Sequence, residues 1–106
     1  MERMKEFMEY IVADRVKGLP SDAVSDVFDR LIWCMADNGE EIGKVRREWL
    51  QSEDKYKVEV ALDMNEVYPF ATRAEMESRF ARIASCWPDL KDKCERWLTK
   101  WDEQFS

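Results

Sequence analysis

Apolar residues recur at intervals of three and four in four separate stretches of this chain. That spacing limits the fold more than any other feature, because only an α-helix gathers such positions onto one face. In residues 2–17 the series is Met4, Phe7, Met8, Ile11 and Val12, with Glu2, Lys5, Glu6, Glu9 and Asp14 largely elsewhere. Gly18-Leu19-Pro20-Ser21 then reads as a stop and a restart: Gly18 suits a left-handed C-cap, Pro20 ends the first segment and Ser21 is a good N-cap. Val24, Val27, Phe28, Leu31, Ile32 and Met35 make the second series, closed by Asn38-Gly39. Thr72-Arg73-Ala74-Glu75 has the form of a capping box and opens a third helix, with Met76, Phe80, Ile83, Ala84 and Trp87 on one face. Pro88 ends it by pushing residue 87 out of the helical region. A fourth helix, capped by Asp89, carries Leu90, Cys94, Trp97, Leu98, Trp101 and Phe105.

Residues 40–65 read differently. Ile42, Val45 and Trp49 fit a short helix, whereas Val45, Arg47 and Trp49 fit one face of a strand, and Gly43 weakens both. Tyr56, Val58, Val60, Leu62 and Met64 alternate with Lys57, Glu59, Ala61 and Asp63, the clearest period-two pattern in the chain, which predicts a strand over 56–64. A lone strand leaves its backbone groups unpaired, so a hairpin with residues 44–50 through a polar turn at 51–55 is expected. The expected fold class is therefore mainly α (α+β): about four amphipathic helices with a small β-hairpin between helices two and three. Its 106 residues, 1–106, make one globular domain and leave no room for two.

Composition excludes several function classes. No apolar run approaches the roughly 20 residues that cross a bilayer, and the opening Met-Glu-Arg-Met-Lys-Glu-Phe is unlike a signal peptide, so a cytoplasmic protein without membrane contact is expected. A net charge of -6 argues against nucleic acid as a partner. Histidine is absent, and none of Gly18, Gly39 and Gly43 sits in a phosphate-binding pattern. Cys34, Cys86 and Cys94 are odd in number with no CxxC pair, so they read as small apolar residues and not as a disulfide framework or a zinc shell. No catalytic residue, metal or cofactor is expected. An acid pair such as Glu59 and Asp63 is the remaining route to an enzyme, and it would need bound substrate or metal.

Charge placement is the informative feature. Asp22, Asp26, Asp29, Asp37, Glu40 and Glu41 face only Arg30 between residues 22 and 41, a local charge of -5 out of the chain's -6. Asp22, Asp26 and Asp29 stand at i, i+4 and i+7, one stripe of the second helix, away from the Val24, Phe28 and Leu31 stripe. Trp33, between Asp29 and Asp37 and off the main apolar stripe, lies either at the margin of the core or exposed beside the acids, and is the best of the chain's five tryptophans for a binding anchor. Trp97 and Trp101 continue the fourth helix's apolar face, and Trp87 reads as corner packing.

A small acidic helical domain with a localised carboxylate patch and surplus aromatics resembles, in type, the immunity proteins that neutralise bacterial toxin domains and the small inhibitors encoded by phages. The resemblance implies a protein that plugs a basic partner, such as a nuclease toxin, with Asp22, Asp26, Asp29, Trp33, Asp37, Glu40 and Glu41 on the binding face. The other expectation is a self-associating scaffold or regulatory module, in which the strand at 56–64 pairs with its twin and the protein is a homodimer and not a monomer.

Overall fold

The computed structural model of the chain describes residues 3–65 and 67–105; Glu2, expected in the first helix, lies outside them. The helices run in the order α1 (Arg3–Ala13), α2 (Ser21–Cys34), α3 (Glu40–Trp49), α4 (Lys55–Asp63), α5 (Arg73–Cys86) and α6 (Lys91–Phe105), with a 3₁₀ turn at Pro88–Leu90. The four expected helices are α1, α2, α5 and α6. Where the hairpin was expected there are two further helices, and no strand occurs among the described residues.

The reason 55–63 is helical lies in its start and its surroundings. Asp54 holds an extended backbone, and its carboxylate accepts hydrogen bonds from the amides of Tyr56 and Lys57, an N-cap that commits the segment to a helix. Residues two apart on a helix are turned by about 200°, so alternate apolar positions fall on opposite sides. That pattern suits a helix covered all round. Val58, Val60, Ala61 and Leu62 are each at most 1% exposed, because α4 packs against α2, α3 and α6. Tertiary covering, and not sheet pleating, sets the period-two pattern. Residues 44–50 likewise fall within α3 and its end, where Ile42, Val45 and Trp49 point inward, as the helical alternative required.

Several helix ends also differ from the sequence expectation. The first helix stops at Ala13 and not at residue 17; beyond it the Arg15 guanidinium donates to the Val12 carbonyl, one of the helix's last, and lies 3.6 Å from the centre of the Tyr56 ring. Gly18 does adopt positive φ, 83°, but in the turn beyond the helix and not at its C-cap. Pro20 and not Ser21 occupies the N-cap of α2, leaving the Ser21 hydroxyl to donate to Asp63 at 2.7 Å. Asp89 falls inside the 3₁₀ turn, paired with Lys55, and does not cap α6, and Asn38-Gly39 leads into α3, since α2 has already ended at Cys34. Thr72 Oγ1 does accept from the Glu75 amide at 3.2 Å, and Trp87 before Pro88 leaves the helical region with φ -136° and ψ 85°.

All six helices contribute to one core. Phe28 meets Trp49 edge-on at 5.9 Å between ring centres, joining α2 to α3, and Phe70 meets Phe80 at 6.5 Å, fixing the α4–α5 connection against α5. Cys94 and Trp97 are buried, Trp87 and Trp101 partly so. Cys34 and Cys86 are exposed, so of the three free thiols only Cys94 is the apolar core residue that the sequence suggested. No described helix is long and apolar enough to cross a membrane.

Candidate functional site

The acidic stripe of α2 is positioned by a buried polar cluster at the carboxyl end of α4. The last carbonyls of a helix lack partners within it. Here other helices supply them. Ser25 of α2 donates to Val60 O at 2.6 Å, Trp97 Nε1 of α6 to Leu62 O at 2.8 Å, and Arg46 Nε of α3 to Ala61 O at 2.8 Å. Arg46 also reaches the following loop, donating from Nη2 to Met64 O and from Nη1 to Val67 O, both at 2.6 Å. Its guanidinium lies 5.0 Å from the Trp97 ring centre and is almost fully buried. Burial pushes Arg46 down to about 9, while the Asp29 carboxylate opposes that shift, so the group remains a cation at neutral pH. The Asp29 oxygens accept from the Asn65 amide at 3.0 and 3.2 Å.

This cluster divides the predicted site. Asp29 is 7% exposed and serves the interior, so it does not belong to the solvent-facing stripe on which its spacing placed it. Asp22, Asp26 and Trp33 are exposed, and at i, i+4 and i+11 they lie within about 40° of one another around the helix. Trp33 is 73% exposed, a large apolar surface among charges. Asp26 sits 3.2 Å from Arg30, one turn on.

The remaining acids belong to the turn into α3. Asp37 accepts from the amides of Glu41 at 3.1 Å and Gly39 at 2.9 Å, and its carboxyl is held below the usual range chiefly by the Glu41 bond. From the preceding turn it thus satisfies a first-turn amide of α3, whose N-cap is Gly39, while staying at the surface. Asn38 and Gly39 both take positive φ, and Gly39 lies so close to Ile32 that an added Cβ would stand 2.8 Å from its Cγ2. That contact folds the turn against the end of α2 that carries Trp33. Glu40 and Glu41 fall in the first turn of α3, where the helix dipole favours them, and Glu41 lies 3.9 Å from Lys44. Five of the six acids thus reach solvent at least in part.

Among the described residues no group of three Cys, Asp or Glu side chains is arranged to hold a metal ion. Of the acid pair Glu59 and Asp63, Asp63 is buried and occupied by Ser21 and Lys93, the latter at 2.5 Å. Arg46 went unrecognised in the sequence. Its one signal, a basic residue between the apolar positions Val45 and Trp49, is ordinary in amphipathic helices. Compared with protein-family models, curated proteins and solved structures, the chain matches none.

Proposed function

We propose that the chain is a non-enzymatic binding protein that docks a basic protein partner, of the kind a nuclease toxin presents, on the surface formed by α2 and the turn into α3. The observation that carries this reading is Trp33, 73% exposed and in line with Asp22 and Asp26. That exposure leaves a large apolar surface open to a partner, and tryptophan is the residue most enriched where binding energy concentrates. The carboxylates around it steer a cationic partner, and a partner Lys or Arg that displaces Arg30 from Asp26 exchanges one exposed ion pair for another at little cost. Asp37, Glu40 and Glu41 extend the negative field at no cost to α3, since Asp37 accepts from the Gly39 and Glu41 amides and the helix dipole favours Glu40 and Glu41.

Self-association by strand pairing loses its basis. Residues 56–64 have no free edge, because they form the covered helix α4 and its end. The test is capture from the native host with tagged wild-type chain and with Trp33→Ala and Asp26→Lys variants. A basic protein retained by the wild type and lost from both variants supports the reading. Equal retention by all three places the partner surface elsewhere.

A further inference from the structure

A second surface feature has the opposite charge character from the acidic stripe. A cleft of about 340 Å³ opens between the loop after α4 and the last turns of α6, lined by Asn65, Val67, Tyr68, Trp97, Lys100 and Gln104. That size lies at the lower end for small-molecule sites. Lys100 is the one charged side chain among these six. Its ammonium lies 5.0 Å from the Trp97 ring centre and makes no ion pair among the described residues, unlike Lys55, Lys57 and Lys93, each of which meets a carboxylate. On the same indole, also at 5.0 Å, lies the Arg46 guanidinium, so two cations share one ring, and the Asp29 carboxylate acts on Arg46.

The polar groups around the cleft are biased toward donors. Tyr68 O–H is donated to Gln104 Oε1 at 2.9 Å and lies 3.2 Å from the Lys100 carbonyl, which occupies the acceptor end of the Gln104 amide and leaves its N–H groups to donate. Lys100 adds donors and no acceptor. The apolar part is rigid. Trp97 is fixed by its bond to Leu62 O, and the Tyr68 ring stands edge-on to it at 5.6 Å and to Trp101 at 5.0 Å. Val67, 47% exposed, forms an apolar rim.

We infer that this cleft binds a small aromatic carboxylate, its anion at Lys100 and the Gln104 amide and its ring against Tyr68 and Val67. A carboxylate there supplies a counter-charge that Lys100 does not find among the described residues, and its two oxygens match a donor-rich edge. A flat ring suits an opening walled by aromatic side chains. A cationic ligand gains nothing beside Lys100, and a large one does not fit. The inference rests on the cleft alone and is independent of the partner-binding reading of α2.

The test is an amide and indole NMR titration of the full chain with indole-3-acetate, indole-3-acetamide and acetate as probes. The expected result is saturable shifts of the Trp97 indole and the Gln104 side-chain amide with indole-3-acetate, and affinity at least about tenfold weaker for the amide and for acetate. Lys100→Gln, a change at an exposed side chain, should abolish the preference for carboxylate over amide while leaving distant resonances in place. Gln104→Glu should weaken indole-3-acetate binding by a similar factor through repulsion. Equal binding of the acid and its amide, equal shifts with bare acetate, or a Lys100→Gln variant that keeps the preference would each overturn the assignment, as would saturable shifts confined to another surface.

Discussion

Replacing Arg46 by methionine keeps most of the side-chain length and removes the charge and all three bonding nitrogens. The wild-type guanidinium holds Ala61 O, Met64 O and Val67 O at 2.6 to 2.8 Å and stands beside the buried Asp29. The variant leaves those carbonyls short of a donor and removes the positive charge that acts on Asp29. Each stranded carbonyl draws on a desolvation cost of about 1 to 3 kcal/mol, the three not adding in full. A loss of about 4 kcal/mol is therefore expected, against a total stability of about 5 to 15 kcal/mol for a domain of this size. Urea unfolding followed by tryptophan fluorescence reads it directly, and the melting temperature should fall by at least about 12 °C. The companion variant Asp29→Asn should cost less alone, and the double variant should lose at least about 1 kcal/mol less than the two added together, since the groups act as a pair. A single-variant loss below about 1 kcal/mol, or strict additivity, would refute the claim that one buried cluster organises α2, α3, α4 and α6.

Gly39→Ala should destabilise by about 1 to 3 kcal/mol by urea denaturation, because its Cβ would meet Ile32 at 2.8 Å and its φ of 80° disfavours any side chain; an unchanged midpoint would remove that turn's packing from the account. Burial pushes the Cys94 thiol up to about 11, so above pH 9 the unfolded chain releases a proton that the folded one retains, and stability falls as pH rises from 9 toward 11. The gap in stability between wild type and Cys94→Ala should therefore narrow over that interval, and a gap constant with pH contradicts it. In the native protein at pH 8, alkylating reagent should modify Cys34 and Cys86 well before Cys94; equal rates would mean that the α5–α6 packing opens readily.

The helices with one wet face were legible because α1, α2, α5 and α6 each turn a polar side to solvent, and spacing alone then reports the inward side. Their ends were less so: past Ala13 the chain leaves the helix and Arg15 packs on Tyr56, a contact spacing cannot show, and Ser21 bonds Asp63 instead of capping. The central helix was misread for a physical reason. A segment buried on every side loses amphipathic periodicity, and Val58, Val60 and Leu62 then match a strand as well as a helix. Asp54 as an N-cap was the overlooked sign. In the candidate site the stripe Asp22, Asp26 and Trp33 was readable from helical arithmetic. Asp29 was not, because its burial depends on an amide 36 residues away, at Asn65.

The proposed division of a cluster that looks uniform in sequence is into five acids that bind a partner and one, Asp29, that serves the fold. It is tested by measuring association rate and melting temperature together for two variants, using the basic partner recovered by capture. Asp26→Lys combined with Glu40→Lys should slow association at least about tenfold and leave the melting temperature within a few degrees, because exposed charges steer encounter and add little to stability. Asp29→Asn should do the reverse, lowering the melting temperature through Asn65 and Arg46 while leaving the association rate near that of the wild type. An association rate unchanged by the double charge reversal, or slowed as much by Asp29→Asn, would contradict the account.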